Sequence, residues 1–270
     1  MKIGIICICT NAYFILGLRF IKHFAKYYKG KHNIEFIVFS DTDSKPFLPN
    51  IKNITYIPLT NESWLHATRS KFSSIASLES LDYDHLYNFD ADTDIDKPFD
   101  DWFIGELVGY EHFNNKLPEE KPYDRNPKSK AYIPFDTPLP QMYYHSAFFG
   151  GKKENMINLV KTLIENQKHD QLIPYEPRWN DESYVNQYFH YIPPSYAIPI
   201  EDFKFIISDK GGIEDTRNAK LDIQKYKDEI MKYPTKAFKL THGIIFFEME
   251  GGARRRGPSK KTKKRRRNKN

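Results

Sequence analysis

The order of apolar patterns in this 270-residue chain predicts an α/β fold, a mixed, Rossmann-like sheet flanked by helices. Three observations carry the prediction. Solid apolar runs of strand length alternate with stretches of helical spacing over the first 90 residues. Those runs are apolar at consecutive positions, as strands covered on both faces must be. An acidic cluster, Asp90, Asp92, Asp94 and Asp96, directly follows the fourth run, placing polar chemistry at the carboxyl end of a strand, where open α/β sheets bind ligands.

Lys2–Thr10 reads as the first buried strand, rich in β-branched residues. Ala12–Tyr28 follows as a helix whose Phe14, Leu18, Ile21, Ala25 and Tyr28 form one stripe. IEFIVFSD (34–41) and Ile54–Pro58 read as the next two strands, and Glu62–Leu81 as a helix with Trp64, Phe72, Ile75 and Leu78 inward. HLYNFD then runs up to the acidic cluster. Residues 113–140, polar and proline-rich, read as an excursion over the surface. MYYHSAFFGG (142–151) reads as a buried strand ending in a glycine pair, and Lys153–Lys168 as a helix. A further helix is expected near Asp181, capped by Asn180 or Asp181, and another over Leu221–Met231.

The composition, 40% hydrophobic and 15% aromatic, is that of a globular chain. The net charge of +6 divides unevenly: residues 253–270 hold 11 Lys or Arg and no acid, while the preceding body holds 30 bases against 35 acids. The body is mildly acidic, and the tail is expected to be disordered. No run of about 18 apolar residues exists, so no transmembrane segment is expected. The opening MKIGIICIC lacks the small-residue cleavage pattern of a secretion signal and suits a buried strand. Cys7 and Cys9, two apart on one strand, are poorly placed to bridge each other. A reducing, cytoplasmic setting is the expectation.

If the extended conformation continues past Asp90, the carboxylates two apart gather on one face, and ionised carboxylates this close need solvent or a cation between them. One reading is a Mg²⁺ or Mn²⁺ site in which Asp90 and Asp92 share the ion with a diphosphate. A calcium loop is a second reading, but Ile95 stands where the sharp turn needs glycine, and a strand precedes it rather than a helix. A solvated acidic turn is the third.

Several ordered stretches decide among these, because together they resemble glycosyltransferase family 6, which holds blood-group A and B transferases and α-1,3-galactosyltransferases. ICTNAY (8–13), VFSD (38–41), DHLYNFDAD (84–92), SKAYIP (129–134), YYHSAFFGG (143–151) and RWNDESYVNQYF (178–189) carry the likeness in consistent order over residues 3–200. It implies a GT-A type domain over 1–252, with a nucleotide-binding half (1–100) and an acceptor and catalytic half (101–252). The implied activity is transfer of a hexose from a UDP-sugar to a glycan acceptor, with the α configuration retained.

Carried over by residue, the resemblance sets Tyr13 against the uracil, with Ile8, Cys9 and Thr10 lining base and ribose. Asp90 and Asp92, around Ala91, would hold Mn²⁺ or Mg²⁺ against the diphosphate, and Asp94 and Asp96 match no ligand. Arg69 or Lys71 would meet the donor near Thr68. His145, Ser146 and Ala147 would read the donor sugar; the pairing of His145 with Ala147 is that of galactose-using members, and a methyl group there narrows the room for an acetamido group. UDP-galactose is therefore the favoured donor and a galactose-terminated glycan the expected acceptor. Asp181 would grip donor hydroxyls, and Glu182 would lie below the anomeric carbon as nucleophile or electrostatic stabiliser. Trp179, Asn180, His112 and Tyr143 would face the acceptor. Asn180 stands where the family usually has His, and Lys239 or His242 is the nearest substitute for the family's basic segment over the diphosphate.

The tail, RRRGPSKKTKKRRRNKN, supports a rival reading. Such a run attracts polyanions in a salt-dependent way and could direct the chain to the nucleus or to anionic membrane. It lacks interleaved aromatics for base stacking, so a nucleic-acid-binding function is secondary to the enzyme reading. An inactive sugar-nucleotide-binding relic is the third class.

Overall fold

The computed structural model describes residues 1–11, 13–60, 64–95, 97–112, 117–135, 142–198, 204–205, 237–241 and 244–248. Its centre is a seven-stranded sheet in the order β3-β2-β1-β4-β7-β6-β8. The strands are β1 (Lys2–Ile8), β2 (Asn33–Ser40), β3 (Ile54–Pro58), β4 (His85–Asp90), β6 (Leu107–His112), β7 (Tyr143–Lys152) and β8 (Tyr196–Ile198). A short β5 (Thr93–Asp94) pairs with β9 (Lys204–Phe205), and β10 (Ala237–Thr241) with β11 (Ile244–Glu248). Only β7 runs against its neighbours in the main sheet. Its first half therefore lies along the same edge as the carboxyl ends of β1 and β4.

Helix α1 (Tyr13–Tyr27) covers one face, and α2 (Trp64–Ala76), α3 (Lys153–Gln171) and α4 (Asn180–Tyr191) cover the other. Strand alternation divides the core between these faces: Ile3, Ile5, Cys7, Tyr87 and Phe89 pack under α1, while Ile6 and Leu86 pack toward α2 and α3. Asn88 and Asp90 follow Leu86 on that second face. The chain winds outward from β1 through β2 to β3, then returns to β1's other side as β4, which makes the β1/β4 junction the switch point of the sheet.

Two glycines permit close approaches here. A Cβ on Gly17 of α1 would meet the Cys9 sulfur at 2.7 Å, so glycine lets the helix settle on the end of β1. Gly151 adopts φ of 155°, and a side chain there would collide with the Glu106 carbonyl.

Several expectations need correction. The extended run ends at Asp90; Ala91 and Asp92 form a turn before β5, so Asp90, Asp92 and Asp94 do not lie on one continuous strand. Ala25 is exposed, and Phe24, fully buried, takes the place expected for it, because α1 is buried on nearly every side from Phe14 to Ile21. The second helix ends at Ala76 rather than Leu81, with Ser77–Ser80 in turns. Trp179, without a side-chain hydrogen bond, occupies the cap position of α4, so neither Asn180 nor Asp181 caps that helix. Strand β6 has no counterpart in the sequence reading. Asp96, His242, Leu221–Met231 and the basic tail lie outside the described residues. Among the described residues no helix is long and apolar enough to cross a membrane.

Candidate active site

Four segments converge where β1, β4 and the start of β7 share an edge. Ile8 pairs with Asp90 across the β1–β4 ladder, and Phe89 pairs with Phe148, so Asp90 and Ala147 are next in line. Beyond Ile8 the Cys9 amide donates to the Phe39 carbonyl at 2.9 Å. Asn11, at φ 52°, turns the chain and donates its amide to the Asp41 carboxylate, bringing Tyr13 to the start of α1. Cys9 and Thr10 are buried beside that turn, and Tyr13 is partly buried against the core under α1. The sequence-predicted base and ribose residues are thus adjacent to the strand-end aspartates.

Lys71 ties this edge to the helical face. Its ammonium donates to Asp181 Oδ2 at 2.6 Å and to Asp90 Oδ1 at 3.0 Å. Burial works to strip the charge from Lys71, but the Asp181 and Asp90 carboxylates outweigh it and hold the ammonium above its usual range. Arg69 points elsewhere: its guanidinium is exposed and paired with Glu176 at 2.6 Å. Two residues apart on a helix are about 200° apart around it, so both could not reach the same site. Of the two candidate cations, the structure brings only Lys71 to Asp90.

Asp90 ends β4, and Asp92 lies in the turn that follows it. Among the described residues no group of three His, Cys, Asp or Glu is arranged to hold a metal. Two carboxylates fit a hard divalent cation that completes its shell with phosphate oxygens and water, rather than an ion caged by protein alone.

One helical residue on, Glu182 turns toward β7. Its Oε1 accepts from the Tyr143 hydroxyl at 2.9 Å, its Oε2 accepts from the Ser146 amide at 3.2 Å, and His145 Nδ1 stands 3.5 Å from Oε2. Burial pushes the Glu182 carboxyl up from its usual range; His145, Tyr143 and the Ser146 amide pull the other way without reversing it. The Ala147 amide donates to His145 Nδ1 at 3.0 Å. Tyr143, expected toward the acceptor, is fully buried and serves Glu182 instead. His112, at the end of β6, places its ring 4.6 Å from that of His145.

Sequence reasoning missed the lock that sets this geometry. Asn186, one turn beyond Glu182 and buried, accepts from the Tyr144 amide and donates to the Tyr144 and Glu182 carbonyls at 2.7–2.9 Å. A buried amide at i+4 from a catalytic candidate is the signal that could have found it. Asn180 opens the helix at φ 44°, a left-handed conformation that asparagine accepts more readily than most side chains. Trp179 is 41% exposed and borders a cleft of about 330 Å³ formed with the segment around Tyr123 and Arg125. Asp124, buried, binds that segment to the approach of α4 by accepting from the Tyr175 hydroxyl and the Arg178 amide. Lys239 lies in β10 opposite Phe246, in a ladder separate from the main sheet.

Comparison with known proteins agrees with this arrangement. The model of glycosyltransferase family 6 matches residues 1–203. Histo-blood group ABO system transferase 1 of Rattus norvegicus is 26% identical over 209 residues, covering 74% of this chain and 60% of its own length. O-antigen biosynthesis glycosyltransferase WbnI of Escherichia coli is 26% identical over 209 residues, covering 72% of this chain and 84% of its own. N-acetyllactosaminide alpha-1,3-galactosyltransferase-like 1 of Mus musculus is 26% identical over 193 residues, covering 68% and 59%. The chain thus spans about 60% of the length of the rodent relatives it matches. With three quarters of its residues inside the family model, the chain belongs to glycosyltransferase family 6.

Proposed function

We propose that the chain is a retaining glycosyltransferase that moves a hexose, galactose by preference, from a UDP-sugar to a glycan acceptor in α linkage with the help of a divalent cation. The observation that carries the reading is the Lys71 bridge. It joins the strand-end Asp90 to Asp181, 91 positions later in sequence, and so sets Glu182 within one helical residue of the diphosphate end of the site. A solvated acidic turn has no need of a buried lysine linking it to a second carboxylate.

In this reading Asp90 and Asp92 hold Mn²⁺ or Mg²⁺. When bound, the ion supplies Lewis acidity that draws charge from the departing UDP. Ile8, Cys9, Thr10 and Tyr13 receive the nucleoside, and Lys71 with Asp181 orients the hexose. The bond from the anomeric carbon to the phosphate oxygen breaks with its electron pair leaving on UDP. The acceptor oxygen then bonds to that carbon, and its proton passes to the phosphate oxygen of the departing UDP. Glu182 lies where positive charge develops on the sugar; buried and poorly hydrated, its carboxylate gains most when that charge appears. Tyr143 and the Ser146 amide fix its two oxygens, so it meets the sugar without first reorganising. The buried Ala147 side chain supports galactose over the bulkier acetamido sugar, a discrimination of about 1–3 kcal/mol.

Calorimetric titration of UDP with and without Mn²⁺ tests the nucleotide half of this reading. Asp92→Asn is expected to weaken UDP binding about tenfold or more in Mn²⁺ and to leave little difference between the two conditions. Equal metal dependence in the variant removes Asp92 from the cation site.

A further inference from the structure

The cleft beside Trp179 has a charge distribution that a neutral sugar does not use. Arg178 and Trp179 form one wall, directly before the helix that carries Asp181 and Glu182; Tyr123, Arg125 and Phe135 form the other, with Lys121 beneath. Each guanidinium lies over an aromatic ring: Arg178 is 5.7 Å from the Trp179 centroid, and Arg125 is 4.1 Å from that of Phe135. The planar group of Arg125 is held in place by Nη1, which donates to the carbonyls of Ile133 and Pro134. Its Nη2 is buried with no hydrogen-bond partner. Burial pulls the pKa of Arg125 down from its usual range. The two acids of the cleft, Glu119 and Glu120, are exposed, as Arg178 is, and Glu120 accepts from the Leu117 amide at 3.1 Å. Against them stand Lys121, Arg125 and Arg178, so the cleft is aromatic and holds more cations than carboxylates.

From this geometry we infer that the acceptor is an acidic glycan: the sugar seated beside Trp179, or its neighbour, bears a carboxylate or phosphate that pairs with Arg178. The flat apolar face of a hexose suits the Trp179 and Tyr123 rings, an anion fits the exposed Arg178 fork bidentately, and Arg125, with Nη1 and Nη2 turned into the protein, adds positive charge rather than a fork. The inference rests on the transferase reading for the role of the cleft, and its test separates the two.

The test uses the full chain with UDP and Mn²⁺ present and three probes sharing one aglycone: para-nitrophenyl β-D-glucuronide, para-nitrophenyl β-D-galactoside 6-phosphate and para-nitrophenyl β-D-galactoside. Affinities are read by ligand-observed NMR. At least one anionic probe is expected to bind about tenfold or more tightly than the neutral galactoside, and which of them does so tells carboxylate from phosphate. The advantage is expected to shrink as salt rises and to fall severalfold in Arg178→Gln, an exposed position whose backbone amide bond to Asp124 the variant keeps. A neutral galactoside bound as well as either anion, an advantage indifferent to both salt and Arg178→Gln, or no binding of any probe overturns the inference. UDP-galactose binding, measured on the same sample, reports on the transferase reading alone: its loss sinks that reading whatever the glycosides do, and its presence without an anionic preference sinks only the acidic acceptor.

Discussion

Lys71→Met is expected to lower folding stability by about 3–5 kcal/mol, the usual cost of removing one partner from a buried ion pair. Asp181 causes most of it. Its side chain is only 9% exposed and loses its 2.6 Å partner, whereas Asp90, 31% exposed, recovers water. The folded-state pKa of Lys71 is raised, so the sign of the linkage is fixed: its contribution is whole below the ordinary lysine pKa and is lost only as pH climbs through the elevated one. At neutral pH the full deficit is therefore visible in urea unfolding. Lys71→Arg keeps the charge and should recover part of the loss. Lys71→Met combined with Asp181→Asn should recover more, because no carboxylate is then stranded. A single variant as stable as the parent contradicts the bridge.

Glu182→Gln is expected to reduce turnover by about 10²–10³-fold, as for loss of one preorganised electrostatic group, with little change in UDP affinity. Glutamine fits the cavity: its oxygen can accept from the Ser146 amide, and its amide can donate to a Tyr143 hydroxyl rotated to accept. The fold should persist. Because burial raises the Glu182 pKa, the carboxyl adds stability in acid that is lost as pH rises past the ordinary carboxylate range toward the elevated value. The variant, with nothing to ionise, should gain thermal stability relative to the parent as pH goes from 4 to 8. Unchanged turnover would remove Glu182 from the chemistry. A stability difference that does not vary with pH would remove the buried charge.

How much of this was legible depended on how local each signal was. The strands β1, β2 and β4 could be read because a run apolar at every position has few other uses, and β3 matched at both ends. The acidic cluster could be located because it directly follows such a run. Whether the chain stayed extended past Asp90 could not be read, since the turn at Ala91 and Asp92 depends on Ala91 packing into the core under α1. Helix α1 misled at Ala25 because a helix buried on most sides leaves no single stripe to follow. Strand β6 was hidden by Gly109 and by the register shift before Glu111, which break its alternation. The choice between Arg69 and Lys71 needed the helix phase relative to the sheet, and the roles of Tyr143, Asn186 and Asp124 needed contacts across 39 to 54 positions. Such contacts leave no periodic mark.

The most direct test of the transfer site is UDP release from UDP-galactose, followed with Mn²⁺ and again after chelation. Steady release that needs the cation and falls by two orders of magnitude in Glu182→Gln is the outcome this arrangement of Asp90, Asp92 and Glu182 predicts. A chain that neither binds nor cleaves the donor at millimolar concentration, with Mn²⁺ present, would contradict it.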